Sequence, residues 1–397
     1  MPPLRPGIGD GAVRVLAVTH EASRTGAVRA LVEALPVLRQ FGTELVVVNK
    51  TPGPMSPDLR SHSDVLLEAP RPRLSQCRRI SRVRALDQFV PTIDRAIARS
   101  VIREARPDLV YASTVMSADY AAVAQQLHIP VVLHVHEAQP LSGWALRRSG
   151  VDLRTLPMAA PSLFTARELE QLSGRSVPVL LGPTRAVEPM DPLESVESVE
   201  ATPLLDVPWT PGSVRVVGCG SLAPWKGPDL WLDAAERLST VDGRRVEWMW
   251  IGAGDQLRFL RDETRQRGLE HRVHWMGERE NVGPYLASGD LFVLTSRIEP
   301  LGLVLLEAAA AGVASIAFQT GGVREILVDE RALVRAGNVG ELVEKIRSAL
   351  KSLALRSQLL EASRPALVES DPEVWRRHLA QVVAEAVRGE PAATPVP

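Results

Sequence analysis

Residues 296–327, SRIEPLGLVLLEAAAAGVASIAFQTGGVREIL, are mostly apolar, yet the apolar part of this stretch carries two glutamates, Glu299 and Glu307. Carboxylates are seldom buried without a partner, because removing them from water is costly. The two side chains therefore either face solvent or take part in binding something polar. The alanine run directly after Glu307 is typical of a helix that packs closely on a sheet, and the apolar run DLFVLTS just before Glu299 is typical of a strand.

The composition indicates a two-domain globular protein. The chain has 397 residues, of which 45% are hydrophobic and 23% charged, so it can form sizeable cores. Its formal net charge of −1 gives no general attraction for nucleic acid. Two distant cysteines, Cys77 and Cys219, do not form the pattern of a disulfide framework. No apolar run approaches the roughly 20 residues of a membrane span, and we expect a cytoplasmic location.

Short β-branched apolar runs alternate with amphipathic segments along most of the chain. This alternation is typical of parallel strands that are covered by helices on both faces. The predicted strands are 13–20, 44–49, 108–113, 130–137 and 177–182 in the first half, and 214–221, 246–254, 273–278, 291–296 and 314–319 in the second. Each series has the size of a doubly wound domain, so the fold class is predicted to be α/β with two Rossmann-like domains.

An acidic, proline-rich stretch between the two series is predicted to be a linker. The predicted divisions of the chain are a first domain at 1–187, the linker at 188–212, a second domain at 213–370, a helix at 371–389 that joins the first domain, and a disordered tail at 390–397.

One further segment, RPRLSQCRRISRVRALDQF, contains six arginines between Arg71 and Arg84. Such a run is most often a solvated surface. The alternative interpretation is contact with an acceptor or with an anionic membrane, which would place the protein peripherally at the inner membrane face.

The loop after the predicted strand 214–221 holds the first candidate site residue. Ligands of open α/β sheets bind beyond the carboxyl ends of strands. In this loop Lys226 precedes Gly227, and a helix is predicted to start at Pro228 or Asp229. A lysine there can direct its ammonium group at a phosphate while the backbone approaches closely. The GxxxxGK[ST] order of a P-loop is missing, and a single loop lysine is more often only solvent-exposed.

The segment RIEPLG supplies the second set of groups. A helix is predicted to begin between Leu301 and Val304, and Gly302 leaves room for a ligand. The free amides of its first turn and its dipole suit a diphosphate. Glu299 before the helix and Glu307 one to two turns inside it can accept hydrogen bonds from hydroxyl groups, so sugar and ribose are apt partners.

In order and spacing, these motifs resemble glycosyltransferase family 4, the retaining GT-B-fold enzymes that use nucleotide-sugar donors. The resemblance covers most of residues 214–350. The matching segments are GSLAPWKGPD (220–229), WIGAG (250–254), EPLGLVLLEAAAAGV (299–313) and GGVREIL (321–327). The resemblance implies a GT-B fold, in which two Rossmann-like domains face each other across a cleft.

The resemblance also implies roles for residues of the second domain. Lys226 and the amides at Gly302 and Leu303 would hold the donor diphosphate. Glu299 would lie beside the donor sugar, and Glu307 would hydrogen-bond the ribose. Lys226 and Glu299 are thus the catalytic candidates of this domain.

The first half resembles the family more loosely. THEASRTGAVRALVEAL is similar to the glycine-rich loop after the first strand, which makes Gly26 a candidate donor-binding residue. IPVVLHVHE is similar to the strand that ends in a histidine near the transferred sugar. The family pattern favours His136 over His134 as the catalytic residue, and both side chains point the same way because a strand alternates its faces. The structural alternative is a histidine that is simply hydrogen-bonded at a strand end.

Two departures from the family pattern concern the donor site. Many members carry an arginine at the position of Gly220, so the diphosphate here would depend on Lys226, Ser221 and the helix amides. We hypothesise that Arg24 in the first domain assists across the cleft. In the first-domain loop, the usual glycine pair is Gly26 followed by alanine, which reduces the backbone freedom of the loop.

These features predict transfer of a sugar, as expected of a hexosyltransferase, from a nucleoside diphosphate sugar with retained anomeric configuration. UDP is the commoner nucleotide among relatives, ahead of GDP. No DxD stretch lies in a fitting place, so we expect no metal, and no cofactor, because the nucleotide sugar is a substrate. The acceptor stays open between a glycan, a lipid carrier and a small molecule. The alternatives are a related GT-B epimerase or phosphorylase, and a catalytically silent nucleotide-sugar binder.

Overall fold

A computed structural model describes residues 13–68, 90–184, 207 and 209–389 of the chain. Three predictions therefore lie wholly or mostly outside the described residues, namely the arginine-rich segment, the linker and the C-terminal tail. The chain divides into two compact units, Met1–Gly182 together with Glu373–Pro397, and Pro183–Pro372. None of the described helices combines the length and the apolar character that crossing a bilayer requires.

The first unit is built on a parallel sheet of six strands in the order β3-β2-β1-β4-β5-β6. Its strands are β1 (Arg14–Thr19), β2 (Glu44–Asn49), β3 (Val65–Glu68), β4 (Leu109–Ser113), β5 (Val131–His134) and β6 (Met158–Ala159). Its helices up to residue 173 are α1 (Gly26–Leu38), α2 (Ser56–Ser61), α3 (Val90–Ala105), α4 (Ala118–Gln126), α5 (Leu141–Ser149) and α6 (Leu163–Ser173). The central strands are almost wholly buried, because helices cover both faces of the sheet.

The second unit repeats this architecture. Six parallel strands have the order β10-β9-β7-β11-β12-β13, and β8 pairs antiparallel with β9. The strands are β7 (Val214–Cys219), β8 (Thr240–Val241), β9 (Arg244–Ile251), β10 (Val273–Trp275), β11 (Leu291–Leu294), β12 (Ser315–Phe318) and β13 (Leu333–Val334). The helices are α7 (Pro228–Arg237), α8 (Leu257–Gln266), α9 (Gly283–Ala287), α10 (Leu303–Ala310), α11 (Val323–Ile326), α12 (Val339–Lys351), α13 (Leu353–Ala362) and α14 (Arg364–Glu369).

The last described helix, α15 (Pro372–Arg388), packs in the first unit although it follows the second along the chain. Trp375 at its start is buried in the same apolar cluster as Leu31 of α1. On the rim of this contact, Arg376 forms an ion pair with Glu33 at 2.6 Å.

The strand order decides where each unit offers a crevice. Numbered within its own unit and leaving out β8, each sheet has the order 3-2-1-4-5-6 of a doubly wound fold. The chain reverses direction across the sheet between β1 and β4 in the first unit, and between β7 and β11 in the second. The loops that follow these strands diverge to opposite faces of the sheet, which leaves a crevice at its carboxyl edge.

The long apolar runs all form strands, with one exception. The predicted strand 177–182 is reduced to an isolated parallel bridge between Val179 and Ala160, since Pro178 has no amide hydrogen to donate. The sequence also failed to predict four strands. These are β3, which is partly exposed, and the two-residue strands β6, β8 and β13, which are too short to show a periodic pattern.

Gly227, immediately before α7, is fixed by both its backbone and its surroundings. Its φ of +64° lies in the left-handed region. A Cβ atom at this position would lie 2.1 Å from the carbonyl oxygen of Thr295, which is far inside van der Waals contact. The close approach of these two loops therefore requires glycine.

We predict that Gly227→Ala lowers the free energy of unfolding by about 3 kcal/mol, because it combines a strained φ with a clash against backbone. Gly243→Ala is the matched control, since Gly243 has a φ of +77° and no atom within 4 Å of an added Cβ. It should cost only about 1 kcal/mol. Urea denaturation of both variants measures the difference, and equal losses would contradict the clash.

Candidate functional site

Two loops meet at the carboxyl edge of the second sheet, beside the switch point between β7 and β11. The loop that precedes α7 contains a 3-10 turn, Pro224–Lys226. The loop after β11 is hydrogen-bonded to it at several points. The Thr295 hydroxyl donates to the Gly227 carbonyl at 2.8 Å, and the amide and guanidinium groups of Arg297 donate to the carbonyls of Trp225 and Pro224. Arg297 also forms a bidentate ion pair with Asp229 at 2.6 and 2.8 Å. The two loops therefore form one bonded structure.

The contact at the centre of this structure joins two predicted site residues. The Nζ atom of Lys226 lies 2.6 Å from Oε2 of Glu299, and the Ser296 hydroxyl donates to the same oxygen at 2.8 Å. The Glu299 side chain is only 5% exposed, whereas that of Lys226 is 22% exposed. The glutamate in the apolar segment is thus paired with an ammonium group, and the ammonium group is the more accessible partner.

Helix α10 starts next to this pair. It begins at Leu303, within the predicted interval, and Gly302 caps it with a φ of +96°. A Cβ atom at Gly302 would lie 3.5 Å from Cγ of Glu299, so the helix start and the carboxylate are neighbours. Because the first amides of a helix have no intrahelical acceptor, the helix start presents N–H donors close to the Lys226–Glu299 pair.

Glu307 lies on the exposed face of α10. Leu303, Val304 and Glu307 are all partly exposed, while Leu305 and Leu306 are buried. Residues three and four apart share one face of a helix. Glu307 therefore points to the same side as the first turn, about 6 Å further along the helix axis.

The loop after β7 explains why glycine stands at position 220. Gly220 has a φ of +146°, which side-chain-bearing residues rarely adopt. An added Cβ would lie 3.7 Å from Cδ of Lys226, so the lysine stem runs past this glycine. Ser221 follows and is partly exposed; its carbonyl accepts from the amide of Ala223 at 2.9 Å. An arginine at position 220 would require a different backbone here.

The first unit carries a buried histidine, His134, and a partly exposed one, His136, where β5 ends. His134 is the last residue of β5 and His136 follows two positions later. Their ring centres are 4.0 Å apart, as expected for side chains on one side of a strand. The Tyr111 hydroxyl lies 2.7 Å from Nδ1 of His134. The Nε2 atoms of both histidines are buried and have no hydrogen-bond partner among the described residues.

A hydrogen-bonded group surrounds this pair at the switch point of the first sheet. The Thr114 hydroxyl, after β4, lies 3.0 Å from Nδ1 of His20, after β1. The Glu137 carboxylate accepts from the amides of Val115 and His136 at 3.0 and 3.1 Å. Burial raises the pKa of Glu137, while the two amides act in the opposite direction.

Both histidines are held neutral. Burial lowers the pKa of His136 to about 3, and the nearby His20 adds to the effect. Burial also places the pKa of His134 well below its ordinary value, with a smaller contribution from His136. A buried neutral imidazole can accept or donate a hydrogen bond without bringing a charge to the site.

The structure thus divides the predicted site residues into two groups. Lys226, Glu299 and Gly302 are in close contact in the second unit, with Leu303 and Glu307 on the adjoining helix and Ser221 in the loop after β7. Arg24, Gly26 and His136 belong to the first unit. Arg24 lies in the loop after β1, and Gly26 is the first residue of α1. This placement does not test their predicted roles.

Sequence reasoning missed several hydrogen-bonding groups at the carboxyl edges of the two sheets. These are the Ser296 hydroxyl on Glu299, the Tyr111 hydroxyl on His134 and the Thr114 hydroxyl on His20. Thr114 and Ser296 could have been found from their positions, since both lie just beyond the carboxyl ends of strands, β4 and β11, where ligands of such sheets bind. Tyr111 lies within a strand and gave no such signal.

We predict that the Lys226–Glu299 pair is energetically coupled. Either Lys226→Met or Glu299→Gln leaves the other group without its buried partner, whereas the double variant removes both. The double variant should therefore cost less than the sum of the single changes, by about 1–3 kcal/mol in unfolding free energy measured with urea. The control is the Lys351–Asp242 pair, which is about half exposed at 3.1 Å and should couple by less than about 1 kcal/mol. Additive losses at both pairs would contradict the assignment.

We predict that acidification destabilises the protein through His134 and His136. The unfolded chain binds protons near pH 6.5, but folded His136 stays neutral down to about pH 3. Stability present above pH 6.5 is therefore lost as the pH falls, by about 1.4 kcal/mol per pH unit for each histidine. Urea unfolding at about pH 7 and about pH 5.5 should differ by about 2–3 kcal/mol, and His136→Gln should remove about half of this dependence. A pH dependence that is unchanged in that variant would refute the prediction.

Residues 210–365 match the family model "Glycosyl transferases group 1", and these residues contain all the site groups of the second unit. N-acetyl-alpha-D-glucosaminyl L-malate synthase of Bacillus anthracis is 31% identical over 137 residues, 34% of this chain and 35% of the relative. This chain thus spans about a third of that protein's length. Glycogen synthase of Mycobacterium tuberculosis is 28% identical over 302 residues, 72% of this chain and 71% of the relative.

Solved structures extend the likeness to both units. The crystal structure of HepE from Anabaena in complex with UDP and glucose superposes with a TM-score of 0.76 at 21% identity, covering 94% of this chain and 100% of HepE. WaaG, a glycosyltransferase involved in lipopolysaccharide biosynthesis, superposes with a TM-score of 0.69 at 15% identity, covering 93% and 99%. The likeness confirms the predicted α/β fold of the GT-B class with two Rossmann-like units, and the chain is similar to glycosyl transferases group 1 over residues 210–365.

Proposed function

We propose that this protein is a glycosyltransferase of family 4 that transfers a sugar from a nucleoside diphosphate sugar to an acceptor. The observation that carries the proposal is the contact between Lys226 and Glu299 beside the start of α10. It places an ammonium group, a carboxylate and free helix amides together at the carboxyl edge of a doubly wound sheet, where such folds bind ligands. The matched family and the glycosyltransferases among the relatives support the same reaction class.

The accessible ammonium group suits a role at the diphosphate. Glu299 lies beneath Lys226 and holds it in place, so an anion arriving from solvent meets the ammonium group first. The amides at Gly302 and Leu303 would bind further phosphate oxygens. As the bond to the sugar breaks, negative charge grows on the diphosphate, and these fixed donors stabilise it.

The other residues of the second unit suit the nucleoside and the sugar. Glu307 shares the exposed face of the first turn of α10 and would accept hydrogen bonds from the ribose hydroxyls. Glu299 would also face the donor sugar, and Ser221 would contact the diphosphate. UDP is the proposed nucleotide, in keeping with the HepE complexes, which contain UDP, UDP with glucose, or UDP-glucose.

In the first unit, we propose that His136 contacts the transferred sugar as a neutral hydrogen-bond partner. Its buried Nε2 atom has no partner among the described residues, and its lowered pKa keeps the ring uncharged. Arg24 and Gly26, in the loop after β1, would add a charge and a close backbone approach to the donor. We further propose that the anomeric configuration is retained and that no divalent metal takes part, since Lys226 and the helix start supply the charge stabilisation.

A glycan, a lipid carrier and a small molecule all fit a sugar acceptor, and we propose a cytoplasmic protein. The arginine-rich segment from Arg71 to Arg84, outside the described residues, is a proposed peripheral contact with an anionic membrane.

A donor assay tests the proposal. The purified chain is incubated with UDP-sugars and GDP-sugars, with a cell extract as the source of acceptors, with and without EDTA, and nucleotide release is measured. We expect release from a UDP-sugar that needs the extract and is unchanged by EDTA. Lys226→Ala should lower the rate by about 10²–10³, as the loss of a charge-stabilising donor does. Lys351→Ala, which removes an exposed lysine of the same unit, should leave the rate unchanged.

The same assay separates the alternatives. An epimerase would convert the nucleotide sugar in the absence of any acceptor, and a phosphorylase would need a glucan with inorganic phosphate. A silent binder would bind UDP but show no turnover in the wild type or in Glu299→Ala. Strict dependence on an added divalent metal would contradict the metal-independent mechanism alone.

A further inference from the structure

A cavity of about 390 Å³ lies along one edge of the second sheet. Strand β10 forms this edge, since it pairs only with β9 among the described strands, and helix α8 precedes it along the chain. Residues of α8, of the turn after it and of β10 line the cavity, which is named the α8–β10 cavity. Sites for small molecules measure about 300–1,000 Å³, so this volume suits one phosphorylated sugar better than a whole nucleotide sugar.

The helix side of the cavity carries two arginines. Arg261 and Arg265 are four residues apart, so their side chains are neighbours on one face of α8. Arg265 forms ion pairs with Glu270 at 3.2 Å and with Asp262 at 3.4 Å. The exposed side chain of Arg261 forms no hydrogen bond or ion pair with any residue that the structure describes. One guanidinium group is therefore available to an anion, and its fork of N–H donors matches the oxygens of a phosphate.

The strand side of the cavity presents an aromatic ring in a fixed orientation. The indole N–H of Trp275 donates to the hydroxyl of the buried Thr264 at 2.9 Å. The Trp275 ring also lies against the buried Trp231, with ring centres 5.8 Å apart. Part of the Trp275 side chain stays exposed in the cavity. An aromatic face is apolar and electronegative, so it suits the C–H groups on one face of a sugar ring.

Groups that can bind sugar hydroxyls complete the lining. The Glu270 side chain is 59% exposed, and its carboxylate can accept hydrogen bonds from hydroxyl groups. An edge strand such as β10 also exposes backbone N–H and C=O groups on its outer side. A free phosphate ion would contact Arg261 but would be repelled by Glu270. The lining therefore favours a ligand with a phosphate at one end and hydroxyl groups at the other.

We propose that the α8–β10 cavity binds a sugar phosphate, with the phosphate on Arg261, the sugar ring on Trp275 and hydroxyl groups on Glu270. The cavity is separate from the site at Lys226, because β9 lies between β10 and β7, and the loop with Lys226 follows β7. The proposal goes beyond the proposed sugar transfer and does not depend on it.

Isothermal titration calorimetry of the full chain with glucose 6-phosphate, glucose 1-phosphate and mannose 6-phosphate tests the proposal. We expect at least one of the three to bind at a single site with a Kd of about 1 mM or tighter. Glucose and inorganic phosphate should each bind at least about tenfold more weakly, since each makes only part of the contacts. Arg261→Gln should weaken the binding of the sugar phosphate about tenfold, because it removes a charge-assisted hydrogen bond.

Two further variants serve as controls. Arg237→Gln is matched to Arg261→Gln, because Arg237 is an exposed arginine of α7 in the same unit and does not line the cavity. Lys226→Ala shows whether the ligand binds at the proposed donor site instead. Both should leave the Kd for the sugar phosphate unchanged, and urea unfolding verifies that all variants fold like the wild type.

Four results would overturn the proposal. None of the three sugar phosphates binds at concentrations up to about 10 mM. Inorganic phosphate binds as tightly as the sugar phosphates. Arg261→Gln binds them like the wild type. Either Arg237→Gln or Lys226→Ala loses as much binding as Arg261→Gln.

Discussion

The contact between the Lys226 ammonium group and the Glu299 carboxylate governs the second unit. A carboxylate that is almost fully buried is tolerated only because it meets a cation and a hydroxyl group, here Lys226 and Ser296. The close approach of the two loops depends on Gly227, whose missing side chain admits the carbonyl of Thr295. The lysine is therefore not a flexible surface group but one held in place before any ligand arrives, which is the condition for efficient charge stabilisation.

The two units share one topology, but the groups at the carboxyl edges of their sheets differ in charge. At the switch point of the second sheet the groups are charged and partly accessible. At the carboxyl edge of the first sheet, His134 and His136 are held neutral, and the Glu137 carboxylate accepts hydrogen bonds from backbone amides. The difference follows from burial, which penalises charge unless a partner of opposite sign is present. The histidines of the first unit can form hydrogen bonds without carrying a charge. In the second unit, the charged groups Lys226 and Glu299 also form hydrogen bonds.

The sequence predicted the parts of this structure that depend on local pattern. Continuous apolar runs predicted the interior strands, and the proline and glycine residues of the preceding loops predicted the starts of α7 and α10. It could not predict β6, β8 and β13, whose two residues show no period. The Lys226–Glu299 bond was also not foreseen, although both residues were singled out, because a pattern indicates which loops share a sheet edge but not which side chains touch. The hydroxyl group of Tyr111 was missed because Tyr111 lies inside β4, whose sequence pattern indicates only a buried apolar strand.

The charges at the site of the second unit nearly cancel. Lys226 contributes one positive charge and the start of α10 about half of one, but Glu299 subtracts one. These contributions sum to only about half a positive charge, although the hydrogen-bond donors lie close together. Position 220 cannot relieve this, since its backbone favours glycine. This small sum is the physical reason why the proposed function includes Arg24 of the first unit as a further cation.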